Sequence, residues 1–467
     1  MSNNIIKGAI TVLIGLILWF IPVPEGLTPQ AWHLFALMVA IIIGFILQPV
    51  PVGAVAFIGI TAIVLTDTLK LSEALSGFSS SAIWLIVAAF LFARGFIKTG
   101  LGRRIAYIIL RAIGDSTLKV GYALALSDLI LAPATPSSAA RAGGIIFPIA
   151  RSLSSALDSE PGPTSRKAGA YFLQVIYQTE AVVCAMFLTA MAGNPMIVEL
   201  AAKTIGVEIT WGTWALAACV PGLIAFIVIP WLMYVVYPPE LKKIPQAKVI
   251  AREELEKMGA VTLHEKILAV VFLVSLLLWC TSGWNGLNAT TVAMLAVSCL
   301  LVTQVLTWEN VVKETGAWDT LIWMGSLVGL AAQLSTKGFI PWFADVASHS
   351  MSGYSWITTL FLLVVIYMYS HYAFASLTAH ISAMYAAFIA VAVAAGAPPY
   401  LVALALAFTA NICLPITHYS GAPGPIYYGA GYIDLRTWWK IGFLFSVVNL
   451  AIWVGVGSIW WKALGLW

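Results

Sequence analysis

Two short hydroxyl-rich stretches have the residue types to hold an anion. The first is Ala134-Thr135-Pro136-Ser137-Ser138-Ala139-Ala140-Arg141, and the second is Ala373-Phe374-Ala375-Ser376-Leu377-Thr378-Ala379-His380. Each interrupts a long apolar run. Each follows an Ile-Trp pair whose tryptophan, Trp84 or Trp323, stands 53 residues before the first serine. The same offset of 239 residues relates Arg141 to His380. A second pair of breaks follows: Thr189-Ala190-Met191-Ala192-Gly193-Asn194-Pro195 matches Thr417-His418-Tyr419-Ser420-Gly421-Ala422-Pro423 at threonine, glycine and proline. Interrupted apolar segments in corresponding places of two halves mark a transporter binding site.

A helix that begins inside a membrane leaves backbone N–H groups unpaired, and these are tolerated only where they line a cavity or meet a ligand. Helix N-termini favour anions. Ser137, Ser138, Ser376 and Thr378 add hydroxyl donors, and Ala139 and Leu377 share their tips. Thr189, Gly193, Asn194, Thr417, His418 and Pro423 supply the remaining breaks. If the halves face each other, four breaks converge, and two N-terminal tips suit a ligand with two negative ends. A dicarboxylate is the simplest such ligand. The plainer alternative is that the serines and threonines only cap broken helices. Arg141 and His380 are ionisable at membrane depth, which by default marks function. Against that, Arg141 can snorkel to an edge and His380 can be a satisfied core residue. Asp128 and Glu180 read as partners of Arg94 or Lys167.

The elements that position these residues follow from composition. The chain has 467 residues, 61% hydrophobic and 9% charged, where a soluble protein carries about 25% charge. Runs of roughly 20 apolar residues suffice to cross a bilayer. The fold class is all-α and polytopic. Spans are expected at 5–23, 31–50, 53–69, 82–100, 168–190, 212–236, 263–281, 287–306, 317–336, 400–415 and 437–460. The segments 119–133 and 141–155 are too short to cross comfortably. They read as a re-entrant hairpin over 119–155, and a second hairpin is expected over 355–395. Helices break near 190–195 and 416–424. Residues 102–113 and 338–352 read as interfacial, the latter bearing Asp345 and His349.

Basic residues crowd the connections around Arg103–Lys119, Arg151–Lys167 and Lys242–Lys266, which places those connections in the cytoplasm. Counting spans then puts the first hairpin on the cytoplasmic side and the second outside. The halves, 1–237 and 263–467, are therefore inverted about the polar arm 238–262. Basic residues that flank spans argue against a nucleic-acid partner. The five cysteines read as core residues, and no metal or cofactor motif is present. His264-Glu265 opens like a zinc-protease helix, but Leu268 stands where the second histidine is required.

The stretch from Pro136 to Gly144 with Phe147-Pro148, then Ser376-Leu377-Thr378-Ala379-His380, Thr417-His418-Tyr419 and Tyr427-Tyr428-Gly429-Ala430-Gly431, resembles the divalent anion/sodium symporter family. The stretches from Ser376 onward resemble its citrate/succinate and 2-oxoglutarate/malate translocator branch. It implies about eleven spans plus two hairpins, a homodimer, and a transport domain that moves as an elevator against a scaffold. The family's tips read Ser-Asn-Thr. Here they read Ser137-Ser138-Ala139 and Ser376-Leu377-Thr378, so both asparagines that help hold sodium are lost. The expectation is a sodium-independent dicarboxylate exchanger of a bacterial inner membrane, with Arg141 and His380 supplying fixed charge in place of sodium. The rivals are a sodium-coupled di/tricarboxylate symporter of the same family, an anion channel, and an intramembrane enzyme, for which no nucleophile–base constellation is visible.

Overall fold

The computed structural model describes residues 2–350 and 353–467, so the last two residues of the expected 338–352 interfacial stretch lie outside the described residues. Within them the chain is helical, with ten helices long and apolar enough to cross a membrane and two shorter apolar ones, Val52–Leu65 and Ala289–Val302. Boundaries follow local chemistry. Thr28 caps Pro29–Leu47 by accepting from the Ala31 N–H, with proline at the first turn. Thr262 and Glu265 form a reciprocal capping box at Leu263–Cys280. The 101–113 segment is a helix that buries Leu101, Arg104, Ala106, Tyr107 and Leu110 along one stripe. It packs against the linker helix Gln246–Met258.

The 238–262 arm is stitched to the base of the first hairpin. The Thr117 N–H donates to the Lys242 carbonyl (3.1 Å), and the Ile244 N–H donates to the Asp115 carbonyl (3.1 Å). The first hairpin comprises Thr117–Leu131, a break over 132–138, then Ala139–Ile146 running into Phe147–Ala156. The second comprises Trp356–Ser370 and Leu377–Ala394. Both unwound helices are present. Gly169–Met186 stops and restarts as Gly193–Ile205, and Pro399–Ile412 restarts as Gly424–Gly429.

Several features depart from the sequence reading. The expected spans 53–69 and 287–306 are the shorter helices Val52–Leu65 and Ala289–Val302, and Thr117–Ala134, whose 119–133 part reads as too short to cross, is long and apolar enough to do so. The last span is longer than 437–460, running from Leu435 to Ala463 through a widened turn at 451–456. The unassigned residues 70–79 form short helices, Leu71–Ala74 and Ser76–Ser79. Gly77 lies backbone to backbone on helix Thr315–Thr336, where an added Cβ would sit 2.0 Å from the Gly325 carbonyl oxygen and 2.5 Å from the Gly329 nitrogen. That contact fixes the helix carrying Thr320 and Trp323. Helix Gly193–Ile205 packs between this helix, Ser81–Thr99 and the second hairpin.

Candidate functional site

The two tips are built alike. The Ser137 hydroxyl accepts from the Ala140 N–H at 3.2 Å, and the Ser376 hydroxyl from the Ala379 N–H at 3.3 Å. The Ser137 carbonyl accepts from the Arg141 N–H (2.9 Å), and the Ser376 carbonyl from the His380 N–H (3.1 Å). Ser376 and Thr378 hydroxyls also bond each other at 2.9 Å. The Ala192 N–H donates to the Pro136 carbonyl (3.0 Å), joining the first tip to its break.

Both tips open on one cavity of about 240 Å³. Pro136, Ser137 and Ser138 line it from the first tip, and Ala375, Ser376, Leu377 and Thr378 from the second. Met191, Ala192, Gly421 and Ala422 come from the two breaks, and Phe90, Thr320 and Trp323 form the facing wall. The volume lies below the roughly 300–1,000 Å³ of drug-sized ligand sites, which favours a small occupant. No lining residue is a lysine, arginine or histidine, so an anion here relies on hydroxyls, backbone N–H groups and helix N-termini. A second cavity of about 150 Å³ shares Trp323, Ser376 and Thr378 and adds Gln48 and Asp319.

Other expected site residues sit behind the cavity. Ala139 is beside the tip without lining it. The Thr189 hydroxyl donates to the Pro133 carbonyl (2.6 Å) and accepts from Trp211 Nε1 (3.1 Å). The Gly193 N–H faces the Met191 sulfur. Asn194 donates to the Cys184 and Phe187 carbonyls, and its Oδ1 accepts from Asn411 Nδ2 at 2.8 Å, joining the two breaks. Thr417 bonds Ser420, and the Thr417 carbonyl accepts from Tyr177 (2.9 Å). His418 Nδ1 accepts from Trp439 Nε1 (3.3 Å), and Pro423 is buried at the start of the Gly424–Gly429 helix. Of the tryptophan pair, Trp323 reaches the cavity, whereas Trp84 turns to the Phe78 carbonyl.

Two expectations need correction. Asp128 and Glu180 do not pair with Arg94 or Lys167; both hold Arg141, through Nε–Oδ1 and Nη2–Oε1 contacts of 2.7 Å each, with all three side chains fully buried. Arg141 is therefore not an unpaired charge. Its Nη1 also donates to the Thr135 (2.6 Å) and Ala190 (3.0 Å) carbonyls, tying tip to break. His380 is buried among the rings of Tyr367, His371 and Phe374, with Nε2 on the Ser370 hydroxyl at 3.0 Å. Among the described residues it makes no ion pair with a carboxylate. His371, which the sequence reading passed over, contacts the Ser420 carbonyl through Nε2 (2.9 Å). One donor atom each from His371, His380 and Cys413 lies within 4.8 Å of the others, a set whose types suit a soft metal ion.

A polytopic helical bundle with two re-entrant hairpins meeting at one small cavity defines a transporter. Residues 2–467 match the family described as the Sodium:sulfate symporter transmembrane region, and the chain belongs to that family. It is a multi-pass membrane transporter, not an enzyme. It is 52% identical to the putative malate transporter YflS of Bacillus subtilis, over 98% of this chain and 96% of that protein. It is 49% identical to dicarboxylate transporter 1, chloroplastic, of Spinacia oleracea, over 98% and 81%. The Alcanivorax borkumensis YdaH transporter shares the fold at a TM-score of 0.59 and 11% identity, over 99% of this chain and 97% of that one.

Proposed function

We propose that the protein exchanges dicarboxylates of the malate, succinate, fumarate and 2-oxoglutarate class across the membrane, independently of sodium, by an elevator movement of the hairpins. The observation that carries this reading is the single cavity closed by two like tips, each offering a helix N-terminus and hydroxyls to one end of a dianion. The names of the malate and dicarboxylate relatives support the substrate class. Leu377 at the second tip favours sodium independence, since its side chain has no oxygen to offer a cation. Arg141 then serves the carbonyls of Thr135 and Ala190, the kind of oxygens a bound cation would otherwise take. The working unit is a homodimer, as the family resemblance implies.

The family description, a sodium symporter, favours a second reading in which uptake is sodium-coupled. Purified protein in liposomes separates them. Uptake of labelled malate is expected to require unlabelled dicarboxylate inside and to ignore a sodium gradient. Sodium-driven accumulation into empty liposomes establishes the symporter instead. Conductance without saturable exchange establishes a channel.

A further inference from the structure

We propose that Arg141, Asp128 and Glu180 form a binding site for one resident proton, shared by the two carboxyl groups, which makes the buried cluster electrically neutral. One guanidinium against two carboxylates leaves a formal charge of −1 with no other counter-ion among the described residues, and all three side chains are fully buried. An isolated buried charge is strongly unfavourable because it loses its hydration. Two carboxylates held close together do not both stay ionised, and one keeps a proton.

The geometry shows where that proton fits. Asp128 takes Arg141 Nε and Glu180 takes Nη2, adjacent donors on one edge of the guanidinium. Held at 2.7 Å each by adjacent nitrogens of one guanidinium, the two carboxyl groups are neighbours. One oxygen of each, Asp128 Oδ2 and Glu180 Oε2, is buried and has no hydrogen-bond partner. A proton on either of these oxygens gives that oxygen a hydrogen to donate and cancels the charge of the cluster.

The neighbours do not remove the need for it. The other titratable groups facing the cluster are Cys184 and Tyr177, on the Glu180 helix, and Tyr427. The Cys184 thiol donates to Glu180 Oε1, the oxygen already served by Arg141 (3.3 Å). Tyr177 donates to the Thr417 carbonyl and Tyr427 to the Ala142 carbonyl at 2.7 Å. A water molecule would supply a hydrogen bond but would not cancel the charge. The second buried ion pair, Arg104 with Glu265, is an internal contrast. It is one to one, and both Glu265 oxygens are occupied, Oε1 by Arg104 Nε and Oε2 by Arg104 Nη2 and the Thr262 N–H.

The proposal does not depend on which substrate is carried. Infrared spectra of the purified protein at neutral pH in H₂O and D₂O are expected to show one protonated-carboxyl carbonyl band from a buried group. The band should be lost in Asp128→Asn or in Glu180→Gln. The same amide variant, which replaces the protonated acid by a neutral isostere, should unfold within a few degrees of the parent in detergent. The double variant, with Arg141 unpaired, should unfold well below it. If neither single variant folds, the parent spectrum alone decides. No protonated-carboxyl band in the parent, or a band that survives both single variants, overturns the proposal.

Discussion

At the residue scale, the second tip offers the most direct test of the binding site. Ser376 and Thr378 hydroxyls bond each other and line both cavities. A hydrogen bond to a charged group is worth about 1.5–3 kcal/mol. Each alanine replacement is therefore expected to raise the dissociation constant for malate roughly tenfold or more. Titration of purified protein checks this, and unchanged affinity in the double variant removes the second tip from the site. Ser376→Ala also removes a helix cap, at about 1 kcal/mol, so melting curves must accompany the titration. Arg141→Ala is a different case. It leaves the buried Asp128 and Glu180 carboxyl groups without their cation and should cost about 3–5 kcal/mol of stability, read as a marked drop in unfolding temperature. The hydroxyls were legible because small polar residues are rare in long apolar runs. The partners of Arg141 were not, because they stand 13 and 39 residues away in sequence and meet it only through packing. The expectation that Arg141 supplies fixed charge in place of sodium did not foresee these two carboxyl partners. His371 escaped notice because its partner, the Ser420 carbonyl, is backbone and leaves no mark in a sequence.

At the element scale, the hairpins and unwound helices followed from short apolar segments meeting at Pro, Gly, Ser and Thr, since a membrane tolerates such breaks only around a cavity. What remained hidden was the element that holds the cavity wall. Residues 70–79 carry little periodic signal, yet Gly77 seats helix Thr315–Thr336 through a contact no side chain could share. Gly77→Ala is expected to destabilise the protein by at least the 1–3 kcal/mol typical of overpacking, because the clash is with backbone. Gly283→Ala, whose Cβ would meet nothing within 4 Å, is the control and should melt with the parent. Equal melting of the two variants would show that residues 70–79 do not support this helix. The Asn194–Asn411 contact belongs to the same scale. It joins the two breaks across 217 residues, which no local pattern could reveal.

At the scale of the whole molecule, the site lies between two sets of helices. Phe90, Thr320 and Trp323 face the tips from Ser81–Thr99 and Thr315–Thr336. Gln48 and Asp319 face Ser376 and Thr378 across the smaller cavity. If the hairpins carry the substrate past a fixed wall, these neighbours separate in each cycle. A cysteine at Gln48 and another at Thr378, which line the same 150 Å³ space, should then be bridged by a mercuric ion in one state only. Three native thiols that are not fully buried, Cys219, Cys280 and Cys299, are first changed to serine; Cys184 and Cys413 are buried. Bridging is expected to stop exchange in liposomes, and a thiol reductant is expected to restore it. Thr378→Cys alone lowers affinity, so exchange is compared before and after bridging within the same protein. Added malate should alter the bridging rate, because it changes how long the carrier spends in the bridged state. A complete bridge with exchange undiminished would show that the second tip does not move against the 29–47 helix. The proposed dicarboxylate site at the two tips would stand, and the elevator movement would not.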